Sequence, residues 1–443
     1  MKNYRLIFFV SVVLISAYFR LDAQSPALSS WPQWRGPMNS GAALKGNPPV
    51  EFGESQNLKW KREIPGKGHS TPVIWEDKII VTSAVATQEK AAADTSAQKA
   101  ASPMPTNRTE FVHEFKIFLI DRKDGRVIWE KAVTREKPEE GTHEFGSWAS
   151  NSPCTDGQHI YAYFGSRGIF CLDFKGSIIW QKDFGQQSKH MNFGEGDSPY
   201  LYKDRLFVQW DHNGESFMAA LDKKTGKEIW RSKRDEVTSW ATPLAVEING
   251  RTQIITNATN QIRSYDFETG EIIWTSKGMT RNAIPCPVYA EGILYLMSGF
   301  RGSALQAIDL AKAKGDISGT DAILWTYNQD TPYTPSPLLM DGRLYFLRAN
   351  NGFMTCLEAK SGKVIYSGQK TEGINQLFSS PVGVGDRIYM VSKNRALVLK
   401  AGDTFQILSS IPLNDDFIAS PVIVDDELFL RGFHSLYCFA EKK

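Results

Sequence analysis

Two carboxylates stand two residues apart in the stretch GEGDSP, Glu195 and Asp197, and they form the best pair in the chain for gripping a metal ion. The same stretch also reads as a glycine turn with a capping aspartate. Four arginines sit in short polar stretches: Arg167 in GSRG, Arg301 in SGFRGS, Arg348 in LRANNG and Arg431 in RGFH. A guanidinium in such a place can fork onto a carboxylate or phosphate, or it can join a solvated ring of ion pairs. Asn151, Asp211, Arg281 and Tyr333 complete the polar set, each in a similar connecting stretch. Trp148 and Trp240, read as standing in surface loops, could stack a planar or sugar-like ligand. His212 and His434 have no partner at metal-ligand spacing and read as ordinary loop histidines. KGDISGTDA lacks the closing glutamate of a calcium loop, and no nucleophile motif is present.

What positions these residues is a repeat. ALDKKTGKEIW, ending at Trp230, is nearly rewritten as SYDFETGEIIW, ending at Trp274, and related phrases end at Trp129, Trp180 and Tyr366. Each runs an alternating strand into an acidic residue, a glycine and a second strand that closes on an aromatic, which spells a hairpin. Asp222 and Asp266 are therefore turn builders, accepting bonds from the backbone ahead of them. A second signature, a small polar residue followed by proline, marks the other hairpin at Pro72, Pro153, Pro199, Pro243, Pro287, Pro337, Pro381 and Pro421. Two hairpins per period predict an all-β, eight-bladed propeller of four-stranded antiparallel blades. The eighth period lacks its outer strand. NLKWKREI, Asn57 to Ile64, has the strand and the aromatic without a hairpin of its own, so it is expected to complete that blade and close the ring.

The propeller then spans 57–443 as one domain, preceded by a lead-in over 24–56. Residues 84–110, inserted in the first blade, carry no strand pattern and are expected to be disordered. The loops between blades, and those joining second to third strands, must emerge on one face around a central funnel. All the candidate residues named above fall in those loops.

Composition fits an exported globular protein. The net charge of +2 leaves no polybasic footprint for nucleic acid. Lys2 and Arg5 precede an apolar run of 14 residues, short for a membrane span and right for a signal peptide over 1–23, with an uncleaved anchor as the alternative. No cysteine stands at the start expected after cleavage, so no lipid anchor is expected and the address is periplasmic or secreted. Of the five cysteines, Cys171, Cys356 and Cys438 share one repeat position and read as core; no disulfide and no metal cluster is expected.

The recurring LD-x-x-TG-x-x-x-W phrase, the eight periods and the leading WPQWRGPMNSGA resemble the pyrroloquinoline quinone repeat family of propellers. That resemblance implies one of two lives. Some members are quinoprotein alcohol or glucose dehydrogenases, which hold the quinone and Ca²⁺ in the funnel; others are cofactor-free scaffolds, among them the propeller lipoprotein of outer-membrane barrel assembly. The adjacent cysteine pair of the alcohol dehydrogenases is absent here, as is a C-x-x-C-H haem site, and the acylated cysteine of the lipoprotein is missing too. The expectation is an exported non-catalytic scaffold, without cofactor, that binds an envelope protein or a carbohydrate-like ligand at the funnel. The alternative is a quinone- and calcium-dependent oxidoreductase.

Overall fold

The computed structural model describes residues 29–92 and 106–442. The signal-peptide reading over 1–23 and the middle of the 84–110 insertion lie outside the described residues. Eight sheets follow one another along the chain as the blades of a propeller. Blade 3 is representative: Tyr200–Tyr202, Arg205–Trp210, Ser216–Asp222 and Glu228–Arg234 pair antiparallel in sequence order. Its two middle strands are buried on both faces because each packs against a neighbouring blade, while the outer strand alternates with solvent. In blade 7 the second and third positions are held by the single run Arg387–Lys400. Among the described residues no helix is long and apolar enough to cross a membrane.

The closure expected from the sequence is present. Leu58–Glu63 pairs antiparallel with Ser435–Phe439 and forms the outer strand of blade 8. The insertion in blade 1 differs from expectation at its flanks. Strand Lys78–Lys90 continues past Ala84 because its partner Phe111–Asp121 extends equally far, matching Ala84 with Phe115 and Ala86 with His113. Thr106–Asn107 pairs with Thr142–His143 in a small separate sheet.

The repeated tryptophan and glycine form a lock between blades. The indole N–H groups of Trp60, Trp129, Trp180, Trp230 and Trp325 each donate to a backbone carbonyl at the turn of the following blade, at 2.9–3.1 Å. The turn glycine lies flat on the same ring. A Cβ at Gly226 or Gly270 would come within 2.5 Å of Trp180 or Trp230, and both glycines have φ near +70°. Asp222 holds that turn by accepting the Lys224 and Thr225 N–H groups at 3.1 and 2.8 Å. The three equivalent cysteines pair across strands with the closing aromatic: Cys171 with Trp180, Cys356 with Tyr366 and Cys438 with Trp60. All five cysteines are buried and free.

A second lock encircles the axis at the residue before each repeat proline. Its backbone N–H donates to the side chain of the equivalent residue one blade on: Thr71 to Ser152, Ser152 to Ser198, Ser198 to Thr242, Thr242 to Cys286, Cys286 to Ser336, Ser336 to Ser380, Ser380 to Ser420, and Ser420 back to Thr71. The distances are 2.9–3.2 Å and the ring has no open end. Beneath it the lead-in segment fills the channel. Ser30–Trp31 pairs with the first strand of blade 1; Pro32 accepts from Thr155 in blade 2; Gln33 and Asn39 bond Leu201 and Tyr200 in blade 3. Arg35, buried, donates to the carbonyls of Pro337 and Pro381 in blades 6 and 7.

Two outcomes follow from these contacts. Deleting 57–64 uncovers the Ser435–Phe439 edge and is expected to lower the melting temperature by more than about 10 °C in circular dichroism. Ser380→Ala strands the buried Ser336 N–H and is expected to cost about 1–3 kcal/mol in urea denaturation, whereas Cys286→Ser, which supplies a better acceptor to Thr242, leaves stability at or above that of the parent.

Candidate functional site

Above the ring the blade-to-blade loops surround a cavity of about 340 Å³. Its floor is Trp34, from the lead-in segment, together with the ring residues Thr71, Ser152, Ser198 and Ser420. The cavity is therefore a blind funnel. Its walls include Phe193, Trp240, Ile284, Tyr333 and His69. One loop crosses the mouth: Phe145, between blades 1 and 2, meets Phe378, between blades 6 and 7, with ring centroids 5.5 Å apart. Lys393 stands over the Phe145 ring at 5.4 Å. That loop is braced from outside the funnel, since Asn107 donates to the carbonyls of His143 and Glu144 at 3.0 and 2.9 Å.

Of the residues expected to form the site, Glu195, Trp240 and Tyr333 line the cavity. Glu195 is already engaged: it accepts the Ser166 N–H at 2.8 Å, the Ser166 hydroxyl, and the Arg167 guanidinium at 3.4 Å. Trp240 is buried, not in a surface loop, and its indole donates to the Gly194 carbonyl at 2.8 Å. Tyr333 stacks on Phe300 at 4.6 Å.

Several of the others serve the frame. Asn151 donates to the Asp197 carbonyl at 2.5 Å, and the Asp197 carboxylate meets fully buried Lys189 at 3.3 Å. Burial pushes the Asp197 carboxyl up against that cation's pull. Glu195 and Asp197 thus turn to different cations and do not make a pair. Asp211 is fully buried in a two-pronged pair with Arg234 at 2.7 and 3.0 Å. Trp148 donates to the Glu140 carbonyl and packs on His113 and the core between blades 1 and 2, which corrects its placement as a surface ring. Arg167 is buried between Glu136 and Glu195. Arg281 and Arg301 are exposed on the rim near His190, and Arg348 lies 3.8 Å from Asp330. Arg431 is 1% exposed and none of its three nitrogens has a hydrogen-bond partner. His212 accepts from the Ser188 and Gly214 N–H groups, and the His434 N–H faces Asp415.

Residue-by-residue reading missed Trp34, His69, Glu140, Phe145, Phe193 and Phe378. The proline-terminated loops carried the signal for Phe145 and Phe193. Glu140 is strongly perturbed near the funnel: burial and the neighbouring Glu195 carboxylate push its carboxyl up to about 8. The resemblance implies pyrroloquinoline quinone and Ca²⁺ for the dehydrogenase members, and two observations bear on that group here. The quinone's acidic groups need cations, and no lysine or arginine lines the cavity. Among the described residues no group of three or more His, Cys, Asp or Glu side chains could hold a metal ion.

The family described as outer membrane protein assembly factor BamB matches residues 113–245 and 214–406. Curated relatives include the outer membrane protein assembly factor BamB of Francisella salina, 30% identical over 98 residues, which are 22% of this chain and 17% of the relative. That of Francisella tularensis subsp. tularensis is 25% identical over 178 residues, 38% of this chain and 34% of the relative. This chain thus spans about a third or less of the length of the curated relatives it matches. Among solved structures, BamB from Moraxella catarrhalis superposes with a TM-score of 0.55 at 13% identity, covering 76% of this chain and 96% of that one. A europium-containing methanol dehydrogenase gives 0.65 at 11% identity, covering 94% and 99%. At such identities the likeness is one of fold alone, shared by BamB and a dehydrogenase.

The buried carboxyl yields a pH prediction. Glu140 is raised in the folded chain, so its contribution to stability is full below its unfolded value and lost as pH rises through about 8. Glu140→Gln, a fixed mimic of the protonated acid, is expected to raise the melting temperature at pH 9 by roughly 2 °C and to leave it unchanged at pH 5. Equal effects at both values would refute the assignment.

Proposed function

This chain belongs to the family described as outer membrane protein assembly factor BamB, and from that premise we propose that it is an exported, non-catalytic propeller that holds an envelope component at its funnel face. The observation that carries this reading is the state of the ionisable groups around the funnel. Glu195 is committed to Ser166 and Arg167, Asp197 to Lys189, and Asp211 to Arg234. A general base or nucleophile needs an available lone pair within reach of a substrate. The lone pairs of these three carboxylates are spent on holding loops in place, and His69, whose ring nitrogens are unpaired at the cavity, is pulled down to about 3 by burial and is a weak base. What the funnel offers is shape and aromatic surface, which suits binding. The absence of lysine and arginine from the lining supports function without the quinone.

Two measurements test this. Purified protein supplied with pyrroloquinoline quinone and Ca²⁺ is expected to reduce no dye with alcohols or sugars; turnover that vanishes in Glu195→Ala would make the chain an oxidoreductase. In cells, a photo-cross-linking residue in place of Phe378 is expected to give adducts with an envelope component, while the same residue in place of exposed Val364, on the outer edge of blade 6, gives none.

A further inference from the structure

We propose that the funnel takes a neutral saccharide, free or carried on a larger glycan, and that His69 hydrogen-bonds its hydroxyl groups. The inference rests on the reading of the funnel as a binding site and adds the chemistry of its ligand.

The cavity volume of about 340 Å³ is at the small end for ligand pockets, enough for one or two sugar rings. Trp34 at the floor and Trp240 in the wall offer indole surface of the kind on which the apolar face of a sugar stacks. The lining carries the carboxylates Glu144 and Glu195 and no cationic side chain, which disfavours phosphate, sulfate or acidic ligands. Asn350 gives its oxygen to the Thr334 N–H at 2.9 Å and keeps its amide hydrogens for a ligand oxygen.

His69 is the observation that points to a ligand. It is 7% exposed, lines the cavity, and has no partner on either ring nitrogen. Buried polar atoms are rarely left unpaired, so an imidazole with two idle nitrogens facing a cavity is a group awaiting hydrogen bonds. Its face is held by Phe433, stacked at 4.8 Å. Burial, with Lys67 and Arg431 nearby, pulls the ring down to about 3, so it stays neutral and offers one donor and one acceptor. A hydroxyl group matches both.

Arg431, buried nearby, is a second side chain without a hydrogen-bond partner. In register, Arg431 occupies the place of Gln209 in blade 3 and Asn257 in blade 4, two residues beyond the partner of each first strand. Those two amides reach across to the next blade, Gln209 to Ser239 and the Asn257 carbonyl, Asn257 to the carbonyls of Pro285 and Met297. Arg431 makes no such bond. Its charge lies close enough to His69 to disfavour the protonated ring, which keeps both ring nitrogens available to a ligand.

The test uses the full chain and titrates glucose, galactose, mannose, N-acetylglucosamine, cellobiose, maltose and chitobiose at millimolar concentration, read by quenching of tryptophan fluorescence and by calorimetry. At least one is expected to bind, and His69→Phe, which keeps the stack on Phe433, is expected to weaken it about tenfold with no loss of melting temperature. Binding by none of these sugars would overturn the proposal while leaving the cross-linking result for Phe378 standing. Tighter binding of glucuronate than of glucose would overturn it in favour of an acidic ligand, and unchanged affinity in His69→Phe would remove His69 from the site.

Discussion

The closed ring of hydrogen bonds from Thr71 round to Ser420 is the constraint on which the rest of the structure depends. Each bond contributes only about 0.5–1.5 kcal/mol net, yet each N–H is buried and would cost more if left unmade. Since every residue in the ring but Cys286 uses a hydroxyl, and each also gives its own N–H onward, displacing one blade breaks two bonds. The ring also fixes where each blade-to-blade loop ends. Everything above it, the funnel wall included, is hung from eight points at nearly equal height.

The tryptophan lock does at the rim what the ring does at the axis. It joins five of the eight blades to the next, and one of the places where it is missing is instructive. Trp274 donates to Gln253 of its own blade at 2.9 Å, because blade 5 replaces the tight turn with a longer excursion over 310–322. That excursion lays Gly315–Asp316 parallel against Trp274 and Thr275, so the outer edge of blade 4 is covered by backbone where the lock is missing. Held at both radii, the blades have little freedom to slide, and a cavity built between them is pre-formed. That suits a binder, which gains affinity from walls that need no ordering.

The lead-in segment makes the cavity blind. Without Trp31 to Asn39 the channel would run through the ring; with it, Arg35 ties blades 6 and 7 and Trp34 presents its indole to the funnel. The sequence contained the segment as a family mark with no hint of its place, since nothing in WPQWRG says that it lies inside a channel.

That difference shows what was legible and what was not. The blades, the prolines and the closing strand Asn57 to Ile64 could be read because period and turn chemistry are local. The depth of a loop residue is not local. Trp148 and Trp240 look alike, each in a short SWA stretch, yet one is wedged against His113 and the other against the Gly194 carbonyl. Asp211 looked available until Arg234, 23 residues on, folded back onto it across the blade. Phe145 meets Phe378 only because the closed ring brings the loop between blades 1 and 2 to the loop between blades 6 and 7 over the funnel. A closed repeat therefore announces its scaffold in every period and conceals its site, because the site is made where residues from different periods converge, and only the geometry of closure decides which ones do.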